Sequence, residues 1–215
     1  MVYFGDAVDA HTSARVQAAT SAIEYAMGAD LIDLVPSYAS ILVLYNPLQT
    51  DHLATARKVR TALTDAPAPA LREPRTVVLP VYYAAEAGID LPSLAERVGL
   101  PVNEVIDLHV GTEYSVYAIG FAPGFAYLGE VDKRIAAPRL TTPRAYVPRG
   151  SVAIADRQSA VYPSDSPGGW NLIGRCPVPM FDPAAQPCMP VSVGDKVHFE
   201  SISRERFLGL GGNLE

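Results

Sequence analysis

The sequence predicts an α+β fold in two parts, a small α/β domain followed by a β-barrel. Three observations lead there. Before residue 65 the apolar spacing runs helix, strand, strand, helix; an Ala-Pro stretch follows; and 11 of the 19 prolines fall between Pro123 and Pro190, which excludes long helices there.

Within Thr12–Met27, residues Val16, Ala19, Ile23, Ala26 and Met27 recur at helical spacing, and Gly28 follows where a helix end favours positive φ. The apolar runs Leu31–Val35 and Ser40–Tyr45, separated by Pro36-Ser37-Tyr38, read as a strand hairpin. Asp51–Leu63 then places Leu53, Ala56, Val59 or Arg60, and Leu63 on one helical face, with Asp51 as N-cap. With Val2–Phe4 as the end of a truncated first strand and Thr76–Tyr82 as a later one, the order becomes a split β-α-β motif of ferredoxin-like type. The extended stretch 65–70 is the expected linker, so the expected domains are 1–70 and 71–205.

Beyond the linker, Thr76–Tyr83 is strand-like, and two short helices, Leu91–Val98 and Val102–Val110, are separated by Gly99-Leu100-Pro101 and ended by Gly111. Thr112–Ile119 alternates as a half-buried strand does. Short strands at Tyr146–Val147, Ser151–Ala155 and Lys196–Ser201 complete a barrel with elaborated loops. Residues 206–215 are Gly-rich and expected as a flexible tail.

A net charge of −6 without a long basic stripe gives no electrostatic case for binding nucleic acid. The start of the chain has neither a cationic n-region nor an apolar h-region, and the longest apolar stretch, near Ile41–Tyr45, is far too short to span a bilayer; a soluble, cytoplasmic protein is expected. Cys176 and Cys188 lack the spacing of a metal site and read as free thiols, so no metal or redox cofactor is predicted. There is no P-loop, dinucleotide fingerprint, nucleophile elbow or H-E-x-x-H sequence.

The informative region runs from Tyr117 to Arg175. Gly120-Phe-Ala-Pro-Gly-Phe-Ala-Tyr-Leu-Gly129 and Ser166-Pro-Gly-Gly-Trp170 use Gly and Pro to set backbone shape in loops, where binding residues concentrate. Residues 130–175 carry seven Lys or Arg against four acids, and Arg139, Arg144 and Arg149 each follow a proline. Planar cations on a shaped loop surface suit a small anionic ligand, a carboxylate or phosphate. His109, just before the strand that feeds the glycine loop, is the best single acid/base candidate, against the commoner role of a hydrogen-bonded structural histidine. Gln158, Tyr162, Ser166 and Trp170 add hydrogen-bonding groups and a stacking face.

These motifs, with Val147-Pro-Arg-Gly-Ser-Val-Ala-Ile154, Tyr162-Pro163 and Ile173-Gly-Arg175, resemble the signature of the 5-oxoprolinase B-subunit family, also called allophanate hydrolase subunit 1 or the KipI kinase-inhibitor family. Val35-Pro-Ser-Tyr38, Leu79-Pro-Val-Tyr82, Glu104–His109 and Gly194-Asp195 extend the resemblance over nearly the whole chain. It implies a ferredoxin-like N-terminal domain and a cyclophilin-like barrel, without prolyl isomerase activity. It also implies one component, inactive alone, of a complex that opens 5-oxoproline to L-glutamate with ATP as co-substrate. The implied partners are the C-subunit, of the allophanate hydrolase subunit 2 family, and the A-subunit, a lactam hydrolase. By the same resemblance His109 would be the catalytic proton carrier, and Phe125, Arg144, Ser151, Gln158, Ser166, Trp170 and Arg175 would bind substrate or nucleotide. The alternatives are a carboxyltransferase half-domain of a urea carboxylase system and an inhibitor of a sensor histidine kinase.

Overall fold

Asp9 begins the first helix as its side chain accepts from the Thr12 backbone N–H at 2.8 Å, which satisfies one of the donors a helix start leaves unpaired. Helix α1 (Ala10–Met27) ends at Gly28, whose φ of 50° is open to glycine. In the computed structural model, residues 1–6, 9–65 and 74–214 are described, and the chain divides into two units, Met1–Pro74 and Arg75–Glu215. Of the expected linker, 66–70 lie outside the described residues.

The first unit holds β1 (Val2–Tyr3), α1, β2 (Leu31–Pro36), β3 (Ser40–Tyr45) and α2 (His52–Asp65). Asp51 caps α2 by accepting from the Ala54 N–H at 2.8 Å. The strands form one antiparallel sheet in the order β1-β3-β2. Val16, Ile23, Met27, Ile41 and Val59 bury its core, with Leu34 and Val43 packed against them; each such side chain contributes about 1.5–3 kcal/mol. The strand offered above as a later member of a ferredoxin-like sheet, β4 (Thr76–Val81), is not in this sheet. It runs parallel to β12 (Lys196–Ser201) in the second unit, paired along its whole length.

The second unit is a nearly closed, seven-stranded barrel-like sheet in the order β11-β8-β9-β6-β5-β12-β4. Its remaining strands are β5 (Tyr114–Ile119), β6 (Ala126–Gly129), β8 (Ser151–Ala155), β9 (Gln158–Val161) and β11 (Asn171–Arg175). The two outer strands approach where Tyr82 and Arg175 exchange backbone hydrogen bonds of 2.9 Å in both directions. A separate ribbon pairs β7 (Arg144–Val147) with β10 (Ser166–Gly168). Helices α3 (Leu91–Val98) and α4 (Val102–Val110) bury Leu91, Leu94, Ala95, Val105 and His109.

β8 is buried on both faces, and its residues differ accordingly. Val152 and Ile154 join the main core with Leu79, Leu128, Ile173 and Phe199. Ala153 and Ala155 face a smaller cluster around Phe125, Tyr162 and Trp170; their small side chains leave room for large rings, as close packing requires. The segment expected as a flexible tail contains a helix instead, α5 (Arg204–Gly209). Ser203 caps it, and Phe207 is fully buried, its ring 5.7 Å from that of Tyr82. One apolar ring in a Gly-rich stretch thus anchors what composition alone marks as loose.

Candidate functional site

The glycine loop is a tight turn that presents aromatic rings. Gly120 N–H donates to the Phe125 carbonyl and Phe125 N–H to the Ala122 carbonyl, each at 3.0 Å. Gly124 has φ 83°, and a Cβ there would stand 2.5 Å from the Met180 carbonyl oxygen, so only glycine fits. Phe121 takes φ 72° without being glycine and is 69% exposed. Such a conformation costs about 1–3 kcal/mol and is held where its surroundings impose it.

Phe121 and Phe125 line a cavity of about 240 Å³ together with Tyr127, Arg139, Pro143, Tyr162 and the run Pro167–Trp170. Phe125 is its hub, edge-on to Tyr162 at 5.3 Å and to Trp170 at 5.7 Å. The Arg139 guanidinium lies over the Trp170 ring, 5.6 Å from its centre, a cation–π arrangement. Burial raises the pKa of Tyr127 and Tyr162, so both present neutral hydroxyls at neutral pH. Arg144 supports this wall from behind: Nη2 donates to Asp90, and Nη1 reaches the Trp170 carbonyl at 3.5 Å.

Arg175 faces a different cavity, of about 430 Å³, with Tyr146, Arg149, Gly150 and Asp165. Ser151 is its neighbour across β8 and β11, fully buried, with an Oγ that finds no hydrogen-bond partner. Ser166 Oγ is likewise buried and unpartnered. Gln158 pairs with Ala155 and Gly129 along the sheet and lines neither cavity.

His109 stands apart from both cavities. It is fully buried, its Nδ1 2.8 Å from the Tyr83 hydroxyl and its Nε2 2.9 Å from Ser159 Oγ. The ring stacks on Phe199 at 4.5 Å, and burial pushes its pKa down to about 3. Both nitrogens are engaged inside the core, where the ring joins α4 to β9 and β12. Of the expected site residues, the structure brings Phe125 and Trp170 together, sets Arg144 behind them, and places Arg175 and Ser151 elsewhere.

The sequence-based expectations leave out Asp90 and Tyr127, and include Arg139 only among the loop cations suited to an anion. Arg139 and Tyr127 sit in the motifs singled out above. Asp90 has no local signal, because its partner Arg144 lies 54 positions away. Among the described residues no group of three or more His, Cys, Asp or Glu is placed to hold a metal ion, and no helix is long and apolar enough to cross a membrane.

The barrel-like sheet presents an aromatic cavity beside loop arginines. The family model for the carboxyltransferase domain, subdomains C and D, matches residues 1–191. The chain belongs to this family, together with its members named as 5-oxoprolinase B-subunits. It is 38% identical to the 5-oxoprolinase B-subunit of Bacillus subtilis (strain 168), over 96% of this chain and 90% of that one. Among solved structures, TTHA0988 superposes with a TM-score of 0.84 at 36% identity over 94% of this chain, which spans 39% of that protein. PH0987 of Pyrococcus horikoshii, described as a conserved uncharacterized protein, gives 0.60 at 40% identity over 96% of this chain and 94% of its own. More distantly, the urea amidolyase of Saccharomyces cerevisiae is 29% identical over 52% of this chain, covering 6% of that protein.

Proposed function

We propose that the chain is the B-subunit of a cytoplasmic, ATP-dependent 5-oxoprolinase complex. In this complex it works with a C-subunit, of the allophanate hydrolase subunit 2 family, and a lactam-hydrolase A-subunit to open 5-oxoproline to L-glutamate. The observation that carries this reading is the 38% identity to a protein of that name over nearly the full length of both chains. On this reading the barrel is cyclophilin-like, and the first unit is a ferredoxin-like motif short of one strand, since β1-β3-β2 is part of that strand order.

An unstrained lactam opens more readily once its carbonyl oxygen has become a phosphate ester. Transfer of the γ-phosphoryl group of ATP to that oxygen releases ADP; attack of water at the same carbon and cleavage of the ring C–N bond leave an acyl phosphate, which a second water hydrolyses to glutamate and phosphate. Such transfer depends mainly on positioning and charge stabilisation. The contribution assigned to this chain is binding. The cavity at Phe125 and Trp170 suits a small ring, with Arg139 beside it for an anionic group. ATP and the proton transfers are left to the assembled complex, and the chain alone is inactive.

Co-expression with both partner subunits tests this. ATP-dependent glutamate release from 5-oxoproline is the expected result; a well-formed complex that releases none overturns it. A second reading, carboxyl transfer from a biotin-linked donor, draws on the family's description and on the fold shared with Kluyveromyces lactis urea amidolyase, TM-score 0.74 at 16% identity over 96% of this chain and 14% of that one. Carboxylation assays with a biotin-carrier domain separate the two.

A further inference from the structure

The turn Pro148–Ser151 borders the larger cavity of about 430 Å³, which the proposed function leaves unused. Arg175 stands in its wall, only 7% exposed. Its Nη1 donates to the Asn213 backbone carbonyl at 3.0 Å, and its buried Nε has no acceptor among the described residues. Arginine remains charged at neutral pH even when burial lowers its pKa, as here. Among the described residues this guanidinium donates to a neutral carbonyl and feels the Asp165 carboxylate only through space, whereas a buried charge needs a close opposite charge and a full set of hydrogen bonds.

Shape and charge at the same place point the same way. Gly150 has φ 79°, and a Cβ there would lie 2.4 Å from the Cys176 carbonyl oxygen and 3.2 Å from Arg175 Cδ; the turn keeps room for the arginine. Arg149 and Asp165 share the lining. Asp165 Oδ1 is engaged by the Arg149 backbone N–H at 2.7 Å, and the Tyr146 hydroxyl bonds the same carboxyl group. Among the described lining residues two guanidiniums stand against one carboxylate.

We propose that this cavity is a second ligand site, which binds a small molecule through a carboxylate held by Arg175 and Arg149. The pair of guanidiniums favours an anion, and a planar carboxylate fits the guanidinium fork. Pro177, Pro179 and Phe207 offer the remaining space to a short aliphatic body. The inference is independent of the oxoprolinase reading.

Calorimetric titration of the full chain with succinate, acetate and inorganic phosphate at fixed ionic strength tests it. Linear carboxylates are used because they carry no ring for the cavity at Trp170. Saturable succinate binding is expected, with a Kd raised at least tenfold in Arg175→Gln and in Arg149→Gln. Arg149 is exposed, so its variant retains the fold if the barrel side chain of Arg175 proves structurally sensitive. Arg134→Gln removes the same charge at a surface pair with Asp132 and leaves binding intact. The proposal is overturned by absence of saturable carboxylate binding, by phosphate binding more tightly than succinate, or by equal weakening in Arg134→Gln.

Discussion

The carboxylate of Asp90 is shared between Arg144 and the backbone of Leu172: Oδ1 accepts from Arg144 Nη2, and Oδ2 accepts from the Leu172 N–H at 2.7 Å. It ties the start of α3 to the strand beside Trp170. The Asp90 side chain is 10% exposed and that of Arg144 28%, so loss of one partner leaves a largely buried group unsatisfied. Asp90→Asn is expected to lower stability by about 2–3 kcal/mol, read from urea unfolding midpoints. The double variant with Arg144→Gln should cost less than the sum of the two single changes.

His109 makes stability sensitive to acid. Its pKa is pushed down to about 3 in the fold, whereas an unfolded chain titrates near the ordinary histidine value of about 6.5. Between these values the unfolded state binds the extra proton, so stability rises with pH and is lost as pH falls from about 6.5 towards 3, by at most about 1.4 kcal/mol per pH unit. Unfolding titrations across this range should show a flatter slope for His109→Gln. Retention of the native slope in that variant would contradict the assignment.

Much of the fold is legible because its signals are local. The spacing of Val16, Ile23 and Met27, the cap at Asp51 and the glycine ends at Gly28 and Gly99 need only neighbouring residues, and the structure places α1, α2 and α3 accordingly. Strands β6, β9 and β11 are not, since runs of four or five mostly buried residues carry no periodicity that distinguishes them. The burial of His109 escapes for a related reason. Helical spacing puts it on the face of Val105, but only the packing of β12 shows that Phe199 covers the ring. Of the site, the ring pair Phe125 and Trp170 is visible in the motifs, while the split between the two cavities depends on which way Arg144 and Arg175 point.

Trp170 is the central test of the binding role. Trp170→Ala removes the face under Arg139 and one wall of the ring cavity. In the assembled complex, kcat/KM for 5-oxoproline should fall about tenfold or more, corresponding to about 1.4 kcal/mol or greater, while Trp170→Phe keeps most of it. Steady-state glutamate release measures both.

Gly88 is a packing requirement, not a flexible joint. A Cβ at this position would lie 2.0 Å from the Ile173 carbonyl carbon and 2.4 Å from the Gly174 nitrogen, and backbone atoms in a barrel strand cannot yield as a side-chain tip does. Gly88→Ala should therefore cost about 3 kcal/mol, detectable as a large fall in Tm.

The docking of α5 is checked by proteolysis. Phe207→Ala is expected to cost about 3–5 kcal/mol and to open cleavage between α5 and β12, whereas the native chain resists it there.

The parallel pairing of β4 with β12 joins Thr76–Val81 to Lys196–Ser201, and this sets an order on biosynthesis. In the first unit, every strand has its partner by Tyr45. In the second, β4 leaves the ribosome early and must wait for its mate; at about 5–20 residues per second the interval is on the order of ten seconds. During that time a Val- and Leu-rich strand is without its native neighbour, so nascent chains stalled before residue 196 should be the species that chaperones hold.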